Sequence, residues 1–480
     1  MKVLSGHKLC FYLEYAVIAL LFCMSPLSAT TISSINVGEA ADAFDRRAFA
    51  ENLEAQLNAN NMQAALDLFK TLPESEAADF DLKMLHASLL LSAGDTKGAE
   101  PIAKELLAQQ PKNTDVLTLN IMLAKAKGDS ATKSKMIKQL LAIDPNNSDA
   151  NTELGAEQVL RHNYKLANTY YAKALKGDST NMEALFGMGQ TSYYLGRIAD
   201  SKRYFNIMLK AQPDNATAYY YLGKLAAEES NYLAAVEYIE KAISLDGANT
   251  DFYLDYGNYL RFRGNFKGAE AAWTKAIELD PNYFLAYAYR AGLYDEQNIF
   301  DKALSDYRMV IKTNPKYYFA FESLGIIAWH EEQWAEAREA FIKARELNDD
   351  NISYPLMIAA CYYKEGKKME AKKFLEGVLK NLRNKQQMAK NTADKDRYAA
   401  EYDVARLYSD LSGEQPIIQR VRKIQNSNRR GKLLFYLGLY CDIVTNGKLA
   451  SADFYTDVIN MNSPMFFEYR LAEWAVGKNQ

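Results

Sequence analysis

The sequence predicts an all-α solenoid of stacked helix–turn–helix repeats, and three observations carry that prediction. Prolines return in one 34-residue phase at Pro111, Pro145, Pro213, Pro281 and Pro315, with turn-compatible Ser179, Gly247 and Asp349 at the intervening marks. Ten places after the marks from Pro145 onward stand Gly155, Gly189, Gly223, Gly257, Ala291, Gly325 and Ala359. Between the marks, apolar residues recur at three- and four-residue steps, which is the helical spacing. A fixed period of this kind belongs to units that hide their apolar faces on one another.

The unit that begins at Thr250 shows the grammar. Its first helix reads DFYLDYGNYLRFRG and its second FKGAEAAWTKAIELDP. Gly264 ends the first helix and Pro281 follows the second; glycine accepts the left-handed turn, and proline cannot continue a helix. Gly257 pairs with Ala269 twelve residues later, as do Gly155 with Ala167, Gly223 with Ala235, Ala291 with Ala303, Gly325 with Ala337 and Ala359 with Ala371. Both members are expected to be small because two helix backbones approach there. Four residues further stands a large side chain: Tyr171, Phe205, Ile239, Trp273, Tyr307, Phe341 or Leu375. It is expected to fill the space between one hairpin and the next.

This pattern resembles the tetratricopeptide repeat, most clearly from about Ser148 to about Leu382, in spellings such as FAFESLGIIAW and WAEAREAFIKARELN. An earlier copy near Phe80 keeps Ala87, Ala99 and Pro111, and one near Arg46 keeps Ala65 and Phe69. The copy from Thr114 carries Ile121 and Lys133 where small residues are expected, so a splayed or shifted hairpin is expected there. The resemblance implies a right-handed superhelix whose first helices line a concave groove.

Residues 1–29 read as an export signal. Lys2 and Lys8 give a basic start, Ala16 to Met24 is apolar but too short for a stable span, and Leu27-Ser28-Ala29 resembles a signal-peptidase site. A retained tether or a lipid on Cys23 are the alternatives; all three place the repeats outside a bacterial cytoplasm, on the periplasmic side of the envelope. Residues 30–42 read as a flexible lead, 43–385 as the solenoid, 386–430 as a basic loop and degenerate hairpin around Gly413, and 431–480 as a final repeat-like unit. In that last unit Gly438 pairs with Ala450, Phe454 follows, Pro464 ends the run, and a capping helix closes the array with Glu468, Arg470 and Glu473 outward.

Composition narrows the function. The net charge of −3 over 480 residues gives no field for nucleic acid. Of four cysteines, Cys10 and Cys23 leave with the signal, and Cys361 and Cys441 read as separate buried thiols. The 33 tyrosines suit a helical array, since the ring packs while the hydroxyl finds a polar partner. No catalytic constellation, metal site or cofactor site is expected. His7, His86, His162 and His330 fall in different repeats, His330-Glu331-Glu332 lacks the second histidine of a zinc helix, and Gly187-Met188-Gly189 lies inside a helix.

What remains is a surface. Groove positions implied by the resemblance hold Phe186, Gln190, Tyr193 and Tyr194, then Tyr220 and Lys224, then Asn258, Arg261 and Phe262. Asp295 and Glu296, Trp329 and His330, and Tyr363 and Lys364 continue the set. Aromatics mixed with single charges and amides suit an extended peptide or a partner helix. The paired Lys, Asn and Arg with which some family members clamp a terminal carboxylate are matched only by Lys224 and Asn258, so that role is not transferred. Arg420, Arg422, Lys423, Arg429, Arg430 and Lys432 form a second candidate patch, for an anionic lipid, glycan or acidic protein. The leading expectation is a non-catalytic protein- or peptide-binding scaffold of the cell envelope; the alternative is an accessory protein for polysaccharide or peptidoglycan assembly.

Overall fold

The computed structural model describes residues 44–410, 414–445, 447–461 and 466–477. The export signal and lead expected over 1–42, and the marks Gly413 and Pro464, lie outside the described residues. Those described are helical, with one short 3-10 turn (Phe69–Thr71) and no strand. They divide into two compact units at Tyr221/Leu222, within one helix.

In the first unit the helices run α1 (Arg46–Asn58), α2 (Met62–Leu68), α3 (Glu74–Ala77), α4 (Phe80–Ser92), α5 (Thr96–Gln109), α6 (Thr114–Lys127) and α7 (Ser130–Ile143). Then follow α8 (Ser148–Leu160), α9 (Tyr164–Gly177), α10 (Met182–Tyr194) and α11 (Ile198–Ala211), and α12 (Ala216–Glu228) contains the division. The second unit continues with α13 (Tyr232–Leu245), α14 (Thr250–Phe262), α15 (Phe266–Leu279), α16 (Phe284–Glu296), α17 (Phe300–Thr313), α18 (Tyr318–His330) and α19 (Trp334–Leu347). It closes with α20 (Ser353–Lys364), α21 (Lys368–Met388), α22 (Thr392–Asp410), α23 (Glu414–Arg422), α24 (Ser427–Ile443), α25 (Lys448–Ile459) and α26 (Phe467–Gly477). Within each unit consecutive helices pack as antiparallel hairpins, each on the next. Among the described residues no helix is long and apolar enough to cross a membrane.

The local chemistry sets the helix ends. Asn113, Asn147, Asn181 and Asn249 cap first helices, and Asn61, Asp95, Asp129, Asn231 and Asn265 cap second ones, each side chain accepting from a backbone N–H of the first turn. Between the two helices the chain turns through one left-handed residue. Gly264 takes it at φ 76°, while His162 and Glu332 take it at 58° and 61°, where a side chain costs roughly 1 kcal/mol.

The small first-helix residue has a different cause from the one the spacing suggests. A Cβ on Gly189 would lie 2.7 Å from the ring of Phe205, and one on Gly325 would lie 2.9 Å from Phe341. Gly155 meets Tyr171 and Gly257 meets Trp273 in the same way. The large second-helix ring is therefore seated on the glycine of its own hairpin. Gly223, whose partner Ile239 is not aromatic, instead meets the Ala235 carbonyl at 3.3 Å, the backbone approach expected of all of them. Tyr171 also reaches Gly187 of the following hairpin, so the ring joins neighbours as well. Trp273 is fully buried and its indole N–H donates to the Leu254 carbonyl at 3.1 Å.

The Thr114 repeat keeps its phase and is not splayed. Ile121 is buried, and Lys133 satisfies its ammonium on Glu157 at 2.7 Å and Glu153 at 3.5 Å of the next first helix. The expected long loop after residue 386 is also corrected. α21 runs to Met388 and only 389–391 separate it from α22, whose start is held by the Asn391 side chain accepting from the Asp394 N–H. Arg397 then binds Glu401 at 2.9 Å and Asp350 at 3.0 Å, giving polar residues a helical role. A bidentate pair between Arg290 and the buried Asp306, both bonds 2.8 Å, pins α16 to α17.

Gly257→Ala is expected to lower stability by about 1–3 kcal/mol through overpacking against Trp273. Gly292→Ala, with nothing within 4 Å of its added carbon, should instead stabilise by roughly 0.5–1 kcal/mol. Thermal melts followed by circular dichroism distinguish the two.

Candidate functional site

In the first unit the predicted Phe186, Gln190, Tyr193, Tyr194 and Tyr220 gather around a residue the spacing did not single out. Tyr221 lies edge-on to Phe186 at 5.4 Å, to Tyr220 at 5.5 Å and to Tyr193 at 6.2 Å, and its hydroxyl accepts from the Gln190 amide at 2.9 Å. Its own ring stacks on the buried Phe205 at 4.9 Å. Tyr194 remains 49% exposed although it stacks on Tyr164 at 4.6 Å. The patch is thus rigid, since each ring is held by another.

In the second unit the predicted residues fall into two groups. Lys224, Asn258, Arg261, Phe262 and Glu296 lie on first helices, the first three half-buried and Phe262 and Glu296 exposed. Lys224 faces Asp255 at 3.5 Å, and Arg261 pairs with Glu296, its Nε 3.3 Å from the carboxylate. Phe262 is 61% exposed and stacks on Tyr232 at 4.7 Å. The same contact between a second-helix start and the next first-helix end recurs as Phe300 with His330 at 5.1 Å and as Lys364 over Trp334 at 5.6 Å.

The other group is covered by the chain's own C-terminus. α26 reaches α18, and α24 packs on α20. Arg470 donates to Asp295 at 2.7 Å and to its carbonyl at 3.0 Å. Trp474 lies 4.0 Å from His330 and 5.6 Å from Phe300, and Phe467 stacks toward Phe341 at 6.1 Å. The last helix does cover the final hairpin, packing on α25 and α24, and it also reaches α18 of the mid-chain repeats. Arg470 and Glu468 were expected to face outward. Arg470 is an anchor, and Glu468 is fully buried, 3.0 Å from the Tyr436 hydroxyl.

Tyrosines hold this region together. The Tyr363 hydroxyl donates to the Tyr408 carbonyl, Tyr408 donates to the Tyr436 carbonyl at 2.7 Å, and Tyr436 lies 3.1 Å from the Ser353 carbonyl. Cys361 and Cys441 are buried free thiols, as the sequence predicts, and both belong to this core. Burial pushes Cys441 up to about 11, which keeps it protonated and unreactive. Trp329, Trp334, Trp474, His330 and Lys364 line a cavity of about 160 Å³ beside α24.

The basic patch is largely paired within the chain. Arg420 binds Asp403, Arg422 lies 3.0 Å from Asp457, and Arg430 donates to the Ile424 carbonyl at 2.6 Å. Arg429 adds its field to Glu401 and Lys432 to Glu322, leaving Lys423 on exposed surface. Among the described residues no group of three or more His, Cys, Asp or Glu is placed to hold a metal.

Residues 186–250, 254–318 and 356–384 match the tetratricopeptide repeat family. With the stacked hairpins and their 34-residue phase, this makes the chain a tetratricopeptide-repeat protein. It is similar to DnaJ homolog subfamily C member 7 of Mus musculus, 28% identical over 166 residues, which are 31% of this chain and 34% of that protein. It is also similar to the probable UDP-N-acetylglucosamine–peptide N-acetylglucosaminyltransferase SPINDLY of Hordeum vulgare, 29% identical over 33% of this chain and 18% of that one. The chain thus spans about a third or less of these relatives' length. Among solved structures, YrrB, a TPR protein with an unusual peptide-binding site, is 20% identical over 39% of this chain and 96% of that chain, with a TM-score of 0.32. A tetratricopeptide repeat protein from Parabacteroides merdae is 21% identical over 51% of this chain and 97% of that one, with a TM-score of 0.40.

Two outcomes test the C-terminal dock. Arg470→Ala should leave the half-buried Asp295 carboxylate without its cation, costing about 2–4 kcal/mol of docking. Hydrogen exchange should then quicken in α26 while α14 and α15 keep their protection. The second concerns Glu322, which accepts from the Tyr354 hydroxyl at 2.6 Å. Burial pushes its pKa up, the Tyr354 bond opposes the shift, and the nearby Glu468 carboxylate adds to it. A carboxyl raised on folding penalises the native state once ionised. Stability is fullest below the ordinary carboxylate range and falls as pH rises toward the folded value. Glu322→Gln keeps an acceptor for Tyr354, so its melting temperature should exceed the parent's at neutral pH, with the gap closing in acid.

Proposed function

We propose that the protein is a non-catalytic scaffold whose first-helix faces bind an extended peptide or a helix of another protein. Tetratricopeptide-repeat proteins bind proteins or peptides, and the observation that carries the reading here is the seating of α26. A helix lies on the face that the repeats of the second unit present, anchored by one arginine on Asp295 and one tryptophan beside His330. The face around Lys224, Asn258, Arg261 and Phe262 offers the same mixture of aromatic surface and single charges without that cover. An exposed aromatic held by stacking loses little entropy on binding, which favours it as an anchor.

The export signal read in residues 1–29 supports a place on the periplasmic side of a bacterial envelope, and the proposed work is that of an organiser within it. Affinity purification from the native envelope, with the mature N-terminus sequenced, tests both points. Replacing Arg261 and Phe262 together by alanine should weaken peptide-array binding by about 2 kcal/mol or more, as for an interface hot spot, with helicity unchanged. Undiminished binding would remove this face from consideration.

A further inference from the structure

The cavity beside α24 gathers aromatic and charged side chains at one place. Three of the four tryptophans line it: Trp329, Trp334 and Trp474. Trp329 and Trp334 stand 4.8 Å apart at 65°, forming a corner of two indoles. The polar side chains at this corner include Lys364 and Asp442, 3.9 Å apart and both partly solvated, and Glu332.

Charge and solvation decide what fits. A cation would suit an aromatic corner, but the chain's own cations already lie over two of the indoles. Lys364 Nζ is 5.6 Å from the Trp334 ring, and the Arg470 guanidinium is 4.1 Å from Trp474. An anion would meet Asp442 and Glu332. A purely apolar guest would strip water from the Lys364–Asp442 pair and return no hydrogen bond, a costly exchange. A neutral ring with one C–H face and a rim of hydroxyls meets none of these objections. Its C–H face packs on indole, its hydroxyls donate to Asp442 or Glu332, and they accept from Lys364. Pockets of this type, mostly apolar with a few convergent polar groups, take small ligands.

We propose that this cavity binds a single neutral pyranose ring, as a free sugar or as one unit of a glycan. The inference does not rest on the peptide-binding reading, because the cavity lies where the C-terminal helices already cover the repeats.

The test uses the full chain and its tryptophan fluorescence. Three of the four indoles line the cavity and report on it, while Trp273 is fully buried elsewhere in the repeats. D-glucose, D-galactose and N-acetyl-D-glucosamine are titrated, with tetramethylammonium and benzoate as charged rivals. A saturable change is expected with at least one neutral sugar. In Asp442→Asn the affinity should fall about tenfold, the loss typical of a hydrogen bond to a charged group, with circular dichroism unchanged. Trp334→Phe should weaken it further by shrinking the indole surface. Saturation by tetramethylammonium or benzoate in place of sugars would overturn the proposal. So would no saturable change with any of the three sugars, or equal sugar affinity in Asp442→Asn.

Discussion

The structure depends on one repeated contact, a large second-helix ring pressed onto a residue with no side chain. Gly155 under Tyr171, Gly189 under Phe205, Gly257 under Trp273 and Gly325 under Phe341 are the same joint. An isolated hairpin buries too little apolar surface to offset the entropy of ordering it. The ring solves this by filling its own hairpin and, as Tyr171 does on Gly187, touching the next. Because glycine leaves no gap and no slack, the register of each joint is fixed, and fixed registers keep the 34-residue phase.

Much of this is legible in the sequence. Period, helix polarity and turn positions follow from residues whose effect is local: prolines that cannot continue a helix, Asn and Asp caps, and small residues at a set offset. The cause of the small residues was misread. Spacing reveals that Gly257 must be small, but it cannot say whether backbone or Trp273 demands it. The stretch 386–398 was misread for a related reason. Its polar composition suggests a loop, yet its charges find helical partners in Glu401 and Asp350.

The surface was legible only in part. Phe186, Gln190 and Tyr193 were found by position, whereas Tyr221 was missed because it sits one place beyond the usual groove residue and works by holding the others. The covering of Asp295 and His330 left no local trace. Arg470 is 175 residues from Asp295, and no periodicity joins them. The unusual tyrosine content did carry a signal for this region. Tyr363, Tyr408 and Tyr436 each give a hydroxyl to a distant backbone carbonyl, a bond that phenylalanine at the same place could not make.

The fold-back of α26 orders events in time. A ribosome releases residues 284–364 well before residues 467–477, so the aspartate at 295 and the indoles at 329 and 334 emerge while their eventual cover is still unmade. Until residues 467–477 are made, Asp295 and His330 lack the Arg470 and Trp474 contacts and can be met by whatever waits outside the exit tunnel. A stop codon placed just ahead of Arg470 would make that transient state permanent.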